Sequence, residues 1–307
     1  GRGQLPIINI CKEHGCEVLV VSPKGNYPGF DYADGCHLHN VKDKEAVLDV
    51  ARRERIDAVL TDQLDAGVLT AAYIAERLGL PGIGYETALR FTNKYIMRKS
   101  AEMLGFNVPK FFSVSTIDQA LEIALVLDYP FMMKPVDNAA SRGVFKIDNE
   151  CELRARFDES LSCSLSRNVI MEQFIDGTEY VVESFVHDHA VQNLVVGHRD
   201  YFELPNLFIP RATAFKSACS NLSEVEKRIL HINEGIVKGY GLNFGITHAE
   251  YLYDKEQDKI YLVEIAARGG GVFISSDLIP LACGVNANRL LVDSALGIKS
   301  SLHDVGL

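Results

Sequence analysis

The first eighty residues alternate between two hydrophobic periods. Gln4–His14, Lys44–Arg55 and Val68–Leu78 carry apolar residues three and four apart, which predicts amphipathic helices. Glu17–Val21 reads as a buried strand, Ala58–Thr61 as a strand, and Leu80-Pro81-Gly82-Ile83-Gly84 as a short strand and turn. Strands alternating with helices of this length imply a parallel sheet with crossover helices, a Rossmann-like α/β unit over residues 1–86. Gly1-Arg2-Gly3 reads like the turn after a strand with none before it, so the first strand of this unit is expected to be missing.

Thr87–Leu104 is then expected as one long helix, closed by Gly105 and followed by Pro109. Next come a strand Phe111–Val114, an amphipathic helix Thr116–Asp128, a strand Phe131–Lys134, and a loop over residues 135–143. A strand Val144–Ile147, a helix Cys151–Cys163 and a strand Val169–Gln173 complete a compact βαββαβ block. From Glu179 the pattern changes to Tyr180–His187, Val191–His198, Thr247–Tyr253 and Lys259–Ile265, interrupted by the helix Glu224–Tyr240. The polar stretch Lys255–Asp258 makes the last two a hairpin, and hairpin neighbours imply an antiparallel sheet. The expected division is 1–86 and 87–307, with a smaller subdomain at about 107–175.

Composition narrows the function. In 307 residues, 41 acidic against 31 basic side chains leave a net charge of −10, which disfavours nucleic acid and anionic membranes as partners. Phosphate chemistry must therefore rest on local Lys and Arg. Seven cysteines without a CxxC motif read as reduced thiols in a cytoplasmic protein. No apolar run approaches the roughly 20 residues that span a bilayer, and no signal segment opens the chain.

The chemistry-bearing residues lie on the predicted strands. Glu250 and Glu264 sit on the two arms of one hairpin, and period two lets both face one side. Two adjacent carboxylates repel unless a cation lies between them, and Mg²⁺ carried on substrate phosphates suits such a pair. Two solvated strand residues would give the same spelling, though the apolar setting Leu262-Val263-Glu264-Ile265-Ala266 speaks against it. Arg268 and Gly269-Gly270-Gly271 follow, a fork for an anion beside backbone free to approach a ligand, or a flexible surface loop. Lys134 ends a strand behind three apolar residues. The small-residue loop Ala139-Ala140-Ser141-Arg142-Gly143 beyond it can cover phosphates with its amides or be a mobile hairpin. It is not a P-loop, since GxxxxGK[ST] is absent. Lys94 alone reads as a solvated helix lysine. Glu172-Gln173-Phe174-Ile175 with Glu179 fits a backbone edge followed by a hydroxyl-binding acid, or any strand with two exposed acids.

The ordered set Lys94, Lys134, small-residue loop, Glu172-x-x-Ile175, Glu179, Glu250, Glu264-x-x-x-Arg268 resembles the ATP-grasp superfamily. It is most similar to the branch with biotin carboxylase and the carbamoyl phosphate synthetase large subunit. The fourteen-residue gap from Glu250 to Glu264 and the seven-residue gap from Glu172 to Glu179 match that branch. The resemblance implies an ATP-grasp fold behind a Rossmann-like domain, with ATP and Mg²⁺ (or Mn²⁺) as cofactors. Lys94 and Lys134 would hold the phosphates, and residues 139–143 would close over them. Glu172, Gln173 and Phe174 would meet adenine through backbone, with Ile175 packed on the ring, and Glu179 would bind ribose. Glu250 and Glu264 would hold the metal, and Arg268 and Lys134 would serve the reaction.

The implied activity is an ADP-forming carboxylate–amine ligase with small-molecule substrates, and a homodimer is compatible with it. Carboxyphosphate or carbamoyl phosphate chemistry with a partner, or a grasp fold without catalysis, are the alternatives. The chain departs from the family at Ala266, where an Asn is usual, in a phosphate loop with fewer glycines, and in stopping soon after the grasp core. Specificity is expected from the opening domain and from residues 197–216, which include Tyr201, Phe202, Arg211 and Lys216.

Overall fold

The computed structural model describes residues 1–138, 141–202, 204 and 209–299. The opening region runs α1 (Leu5–Glu13), β1 (Leu19–Ser22), α2 (Gly29–Tyr32), β2 (Gly35–Leu38), α3 (Lys44–Glu54) and α4 (Asp65–Leu78). Only β1 and β2 pair, in parallel. The strands expected at Ala58–Thr61 and Leu80–Gly84 join no sheet, so the expected multistranded parallel sheet is not formed among the described residues. Their hydrophobicity marks burial rather than pairing: Val59 packs with Val47, Leu48 and Ile74 of α3 and α4, and Leu60 packs with Ile7 and Ile10 of α1.

The single helix expected at Thr87–Leu104 is two, α5 (Tyr85–Arg90) and α6 (Lys94–Met103). Asn93 makes the break, its side chain accepting the amides of Tyr95 and Ile96 as an N-cap. Next come β3 (Phe111–Val114), α7 (Ile117–Leu127), β4 (Phe131–Pro135), β5 (Phe145–Ile147), α8 (Glu150–Ser162) and β6 (Val169–Gln173). Their strands form a four-stranded sheet in the order β3-β6-β4-β5. Period two sorts its faces. Phe131, Met133, Val169 and Met171 join the α7 and α8 side chains in one core, which leaves Lys134, Ile170 and Glu172 on the opposite face.

The large sheet comprises β7 (Thr178–His187), β8 (Ala190–Tyr201), β9 (Pro210–Ser217), β10 (Gly245–Asp254) and β11 (Lys259–Ala266), with α9 (Glu224–Tyr240) between β9 and β10. It is antiparallel, in the order β11-β10-β7-β8-β9. Ser223 and Glu226 close a capping box that starts α9 where the sequence places it. Val182, Val196, Ala249, Tyr251 and Leu262 bury one face of the sheet with Ile229, Ile236 and Val237 of α9. The chain continues through a π-helical turn (Ile274–Leu278) into α10 (Ile279–Cys283) and α11 (Ala287–Ala295), which cover the far end of the other face at Phe185, Val195 and Ile246. No described helix is long and apolar enough to cross a membrane.

Candidate functional site

The uncovered end of that second face carries the acids. Glu250 stands directly opposite Glu264 in the β10–β11 register. His248 stands opposite Glu183 and Glu179 opposite Arg199. The register shifts after Glu250, so that Tyr251 pairs with Leu262 and Val263 is the extra residue. The carbonyl of Val263 instead accepts Nη2 of Arg98.

Two clusters meet here. In the first, Glu172 is 1% exposed and Arg98 is 0% exposed. The Glu172 carboxylate accepts Nε of Arg98 at 2.6 Å and Nζ of Lys134 at 2.5 Å. Burial alone would push the Glu172 carboxyl up, but the two cations outweigh it and hold it down at about 2. Lys94 stands one turn of α6 before Arg98, on the same buried face. Its Nζ donates to Glu264 at 2.9 Å and to the carbonyl of Asn138 at 2.8 Å, tying the small sheet's loop to β11.

In the second cluster, Nη1 of Arg199 donates to Glu179 at 2.8 Å and to Glu250 at 2.6 Å. The Tyr201 hydroxyl lies 2.8 Å from both Glu179 oxygens. Burial, with the Glu250 charge added, raises the Glu179 carboxyl to about 7. Burial would likewise raise Glu250, but His248 and Arg199 hold it well below the usual carboxylate range. His248 bridges the row, with Nδ1 on Glu183 and Nε2 3.3 Å from Glu250. Burial alone would lower it, and the Glu183 carboxylate raises it to about 9.

The predicted residues therefore converge as two groups, Lys94 with Glu264 and Lys134 with Glu172, beside Glu179 and Glu250. Residues 174–177 link the small sheet to the large one. There Ile175 is buried, and the Phe174 ring lies under Nζ of Lys146 at 4.5 Å. Gln173 is tied to Lys110, its amide donating to that carbonyl at 2.8 Å. Of the small-residue loop, Ala139 and Ala140 lie outside the described residues. Nη2 of Arg142 lies 3.4 Å from Oδ1 of Asn138, and Ser141 has positive φ. Gly143 also has positive φ, its carbonyl accepting Ser160 at 2.8 Å, and a Cβ there would come within 3.0 Å of Pro135 and Cys163.

Some placements differ from expectation. Arg268 forms a bidentate pair with Asp65 of α4, and the amides of Gly269 and Gly270 donate to Asp62 and Glu183, so this loop is pinned rather than free. Lys216 and Arg211 pair with Glu226 and Asp200, on β9 and at its start, where the sequence pattern shows only a loop. Arg98, Arg199, His248, Glu183, Asp62 and Asp65 are additions. Only Arg98 had a local signal, four residues after Lys94 on one helix face.

Glu250 and Glu264 offer hard oxygen donors at one register position, each now countered by a cation, while the buried Nε of Arg199 has no partner. No group of three or more His, Cys, Asp or Glu among the described residues forms a metal cage. The pair therefore fits a Mg²⁺ that arrives on phosphates rather than one caged by protein.

Comparison with known proteins bears on this arrangement. Residues 127–277 match the family model described as ATP-grasp domain. The carbamoyl phosphate synthase large chain, C-terminal section, of Methanopyrus kandleri is 23% identical over 304 residues, 96% of this chain and 55% of the relative. The chain thus spans about half the length of that curated relative. The L-amino acid ligase of Bacillus licheniformis superposes with a TM-score of 0.78 at 26% identity, over 96% of this chain and 72% of the other. The biotin carboxylase domain of Hydrogenobacter thermophilus 2-oxoglutarate carboxylase, a dimer solved with MgADP, ADP and bicarbonate, gives 0.77 at 16% identity over 98% and 69%, a likeness of fold. Residues 127–277 thus carry an ATP-grasp domain, and the chain is similar over nearly its whole length to a carbamoyl phosphate synthase large chain and shares its fold with biotin carboxylase.

Proposed function

We propose that this chain is an ATP-dependent, ADP-forming ligase that activates a carboxylate as an acyl phosphate for attack by an amine. The observation that carries this reading is the convergence of two buried lysines with the Glu250–Glu264 pair where the small and large sheets meet. Lys94 and Lys134 would hold the ATP phosphates, each kept in place by the carboxylate it now meets. Residues 139–143 would close over the phosphates, with 107–175 moving as a lid that excludes water. Residues 172–175 would take the adenine edge and Glu179 the ribose hydroxyls. Glu250 and Glu264 would hold Mg²⁺, which when bound neutralises phosphate charge.

The substrate carboxylate oxygen attacks the γ-phosphorus and ADP leaves. The amine then attacks the acyl carbon and inorganic phosphate leaves. Arg268 would hold the carboxylate or acyl phosphate through both steps. Residues 1–86 and 87–307 would act as a substrate-facing domain and a nucleotide-binding domain, and the partners would be small molecules.

ADP release from MgATP, measured against pooled carboxylates with pooled amines and against bicarbonate, tests the proposal. Release that needs both a carboxylate and an amine is expected. The carbamoyl phosphate synthase relative favours a second reading, carboxyphosphate chemistry with a partner chain, and release with bicarbonate alone would select it. Silence with every pool would sink both. Independently, Lys134→Ala should weaken MgATP binding by about 1–3 kcal/mol, the range for losing a charge-assisted hydrogen bond. Unchanged affinity by calorimetry would remove Lys134 from the phosphate site.

A further inference from the structure

The opening region reaches the site through two aspartates three residues apart. Asp62 is 0% exposed. Its Oδ1 accepts the amide of Gly269 and its Oδ2 the hydroxyl of Ser275, both at 2.7 Å. Asp65, the first residue of α4, accepts Nε and Nη2 of Arg268, both at 2.9 Å. From the other side Glu183 accepts the amide of Gly270 at 3.0 Å. Two buried carboxylates from distant parts of the chain thus grip consecutive amides. A Cβ would come within 2.3 Å of Ser275 at Gly269 and within 2.5 Å of Glu183 at Gly270, so only glycine fits this grip.

The donor count at Arg268 gives the loop a purpose. A guanidinium has five N–H donors. Asp65 takes two along the side edge, and the carbonyl of Gly269 takes one from Nη1 at 3.1 Å. One N–H on each of Nη1 and Nη2 remains for a ligand, and the end edge of a guanidinium binds a carboxylate or phosphate bidentately. The side chain keeps 12% of its surface exposed. The charges of Glu264 and Glu183 both act on it, so it stands beside the candidate metal pair.

We propose that Asp65 and Asp62 are positioning residues for the ligase reaction: Asp65 holds the side edge of Arg268 so that its end edge faces the activated carboxylate, and Asp62 fixes the glycine loop that carries it. The inference rests on the ligase reading and extends it, since the opening region becomes part of the reacting unit.

A double-mutant cycle on the full chain tests this, with ADP release from MgATP and the carboxylate and amine pools as readout. Arg268→Ala should lower kcat by about a hundredfold, and Asp65→Asn by about tenfold with the KM for MgATP within about twofold. The double variant should be no slower than Arg268→Ala. Arg268→Lys should behave like Arg268→Ala, because an ammonium held by Asp65 has no second fork. Normal kcat in Asp65→Asn, or the same slowing in both backgrounds, overturns the proposal, as does full activity in Arg268→Lys. Wild-type turnover in Arg268→Ala would instead overturn the role given to Arg268 in the ligase reading. One arm needs no turnover: hydrogen exchange over residues 268–276 should quicken about tenfold in Asp62→Asn while MgATP affinity stays within about twofold. Unchanged exchange there would remove Asp62 from the proposal.

Discussion

Glu172→Gln will destabilise the fold by about 3–5 kcal/mol, the cost of removing one partner from a buried ionic group. The substitution changes almost no volume, so the loss is electrostatic. It leaves Arg98, 0% exposed, and Lys134, 8% exposed, facing a neutral amide. The pH dependence carries a definite sign. The Glu172 carboxyl lies at about 2 in the fold against an ordinary 4.5, a lowered value. Its contribution is therefore fully present above 4.5 and is lost as pH falls from there through 2. Urea denaturation of wild type and variant checks both statements. The gap between them should be constant at neutral pH and narrow below 4.5. Equal midpoints at pH 7 would mean that the Arg98–Glu172–Lys134 group contributes nothing to folding.

The way this group formed shows what the sequence could and could not reveal. Lys134 and Glu172 were legible because strands alternate. Phe131 and Met133 take the core side of β4, so Lys134 must leave it, and Met171 does the same for Glu172 on β6. The Glu250–Glu264 juxtaposition was legible for the same reason. Asp254 accepts the amides of Glu256 and Gln257 in the turn expected between the strands, which fixes their pairing.

Spacing alone does not single out Arg98, because a helical cation is ordinarily solvated, yet Lys94, Met97, Arg98 and Ala101 mark one buried stripe. Arg199 had no such signal. Its position opposite Glu179 depends on the β7–β8 register, and Arg199-Asp200-Tyr201 has no apolar alternation to announce a strand. β9 is an edge strand with exposed residues at most of its positions, so its sequence reads as a loop. Asp62 and Asp65 reach partners more than two hundred residues away, a contact that no spacing encodes. The opening sheet failed in the opposite direction: Ala58–Thr61 is apolar enough for a strand, but helices supply its burial and no ladder forms.

Glu264→Gln should lower ADP release by about two orders of magnitude, roughly 3 kcal/mol in the barrier, while the fold survives. Three features separate this residue from Glu172. Its own side chain is 29% exposed, and the change leaves one buried cation, Lys94, facing an amide where Glu172→Gln leaves two. Its partner Lys94 keeps the Asn138 carbonyl at 2.8 Å, and a Gln oxygen can still accept from the same ammonium. Its place opposite Glu250 makes it half of the only cross-strand carboxylate pair on this face among the described residues. The amide therefore preserves packing and the Lys94 contact but removes one negative charge where a phosphate-borne cation would sit. Stability should fall by about 1–2 kcal/mol, less than for Glu172→Gln, because the buried Lys94 ammonium keeps two oxygen acceptors. Turnover should fall without a matching fall in the denaturation midpoint. Added Mg²⁺ should recover part of the loss if the variant binds the cation more weakly. Turnover that stays near wild type would place the metal elsewhere. A drop in turnover matched by a drop in stability would make Glu264 an anchor for Lys94 rather than a ligand.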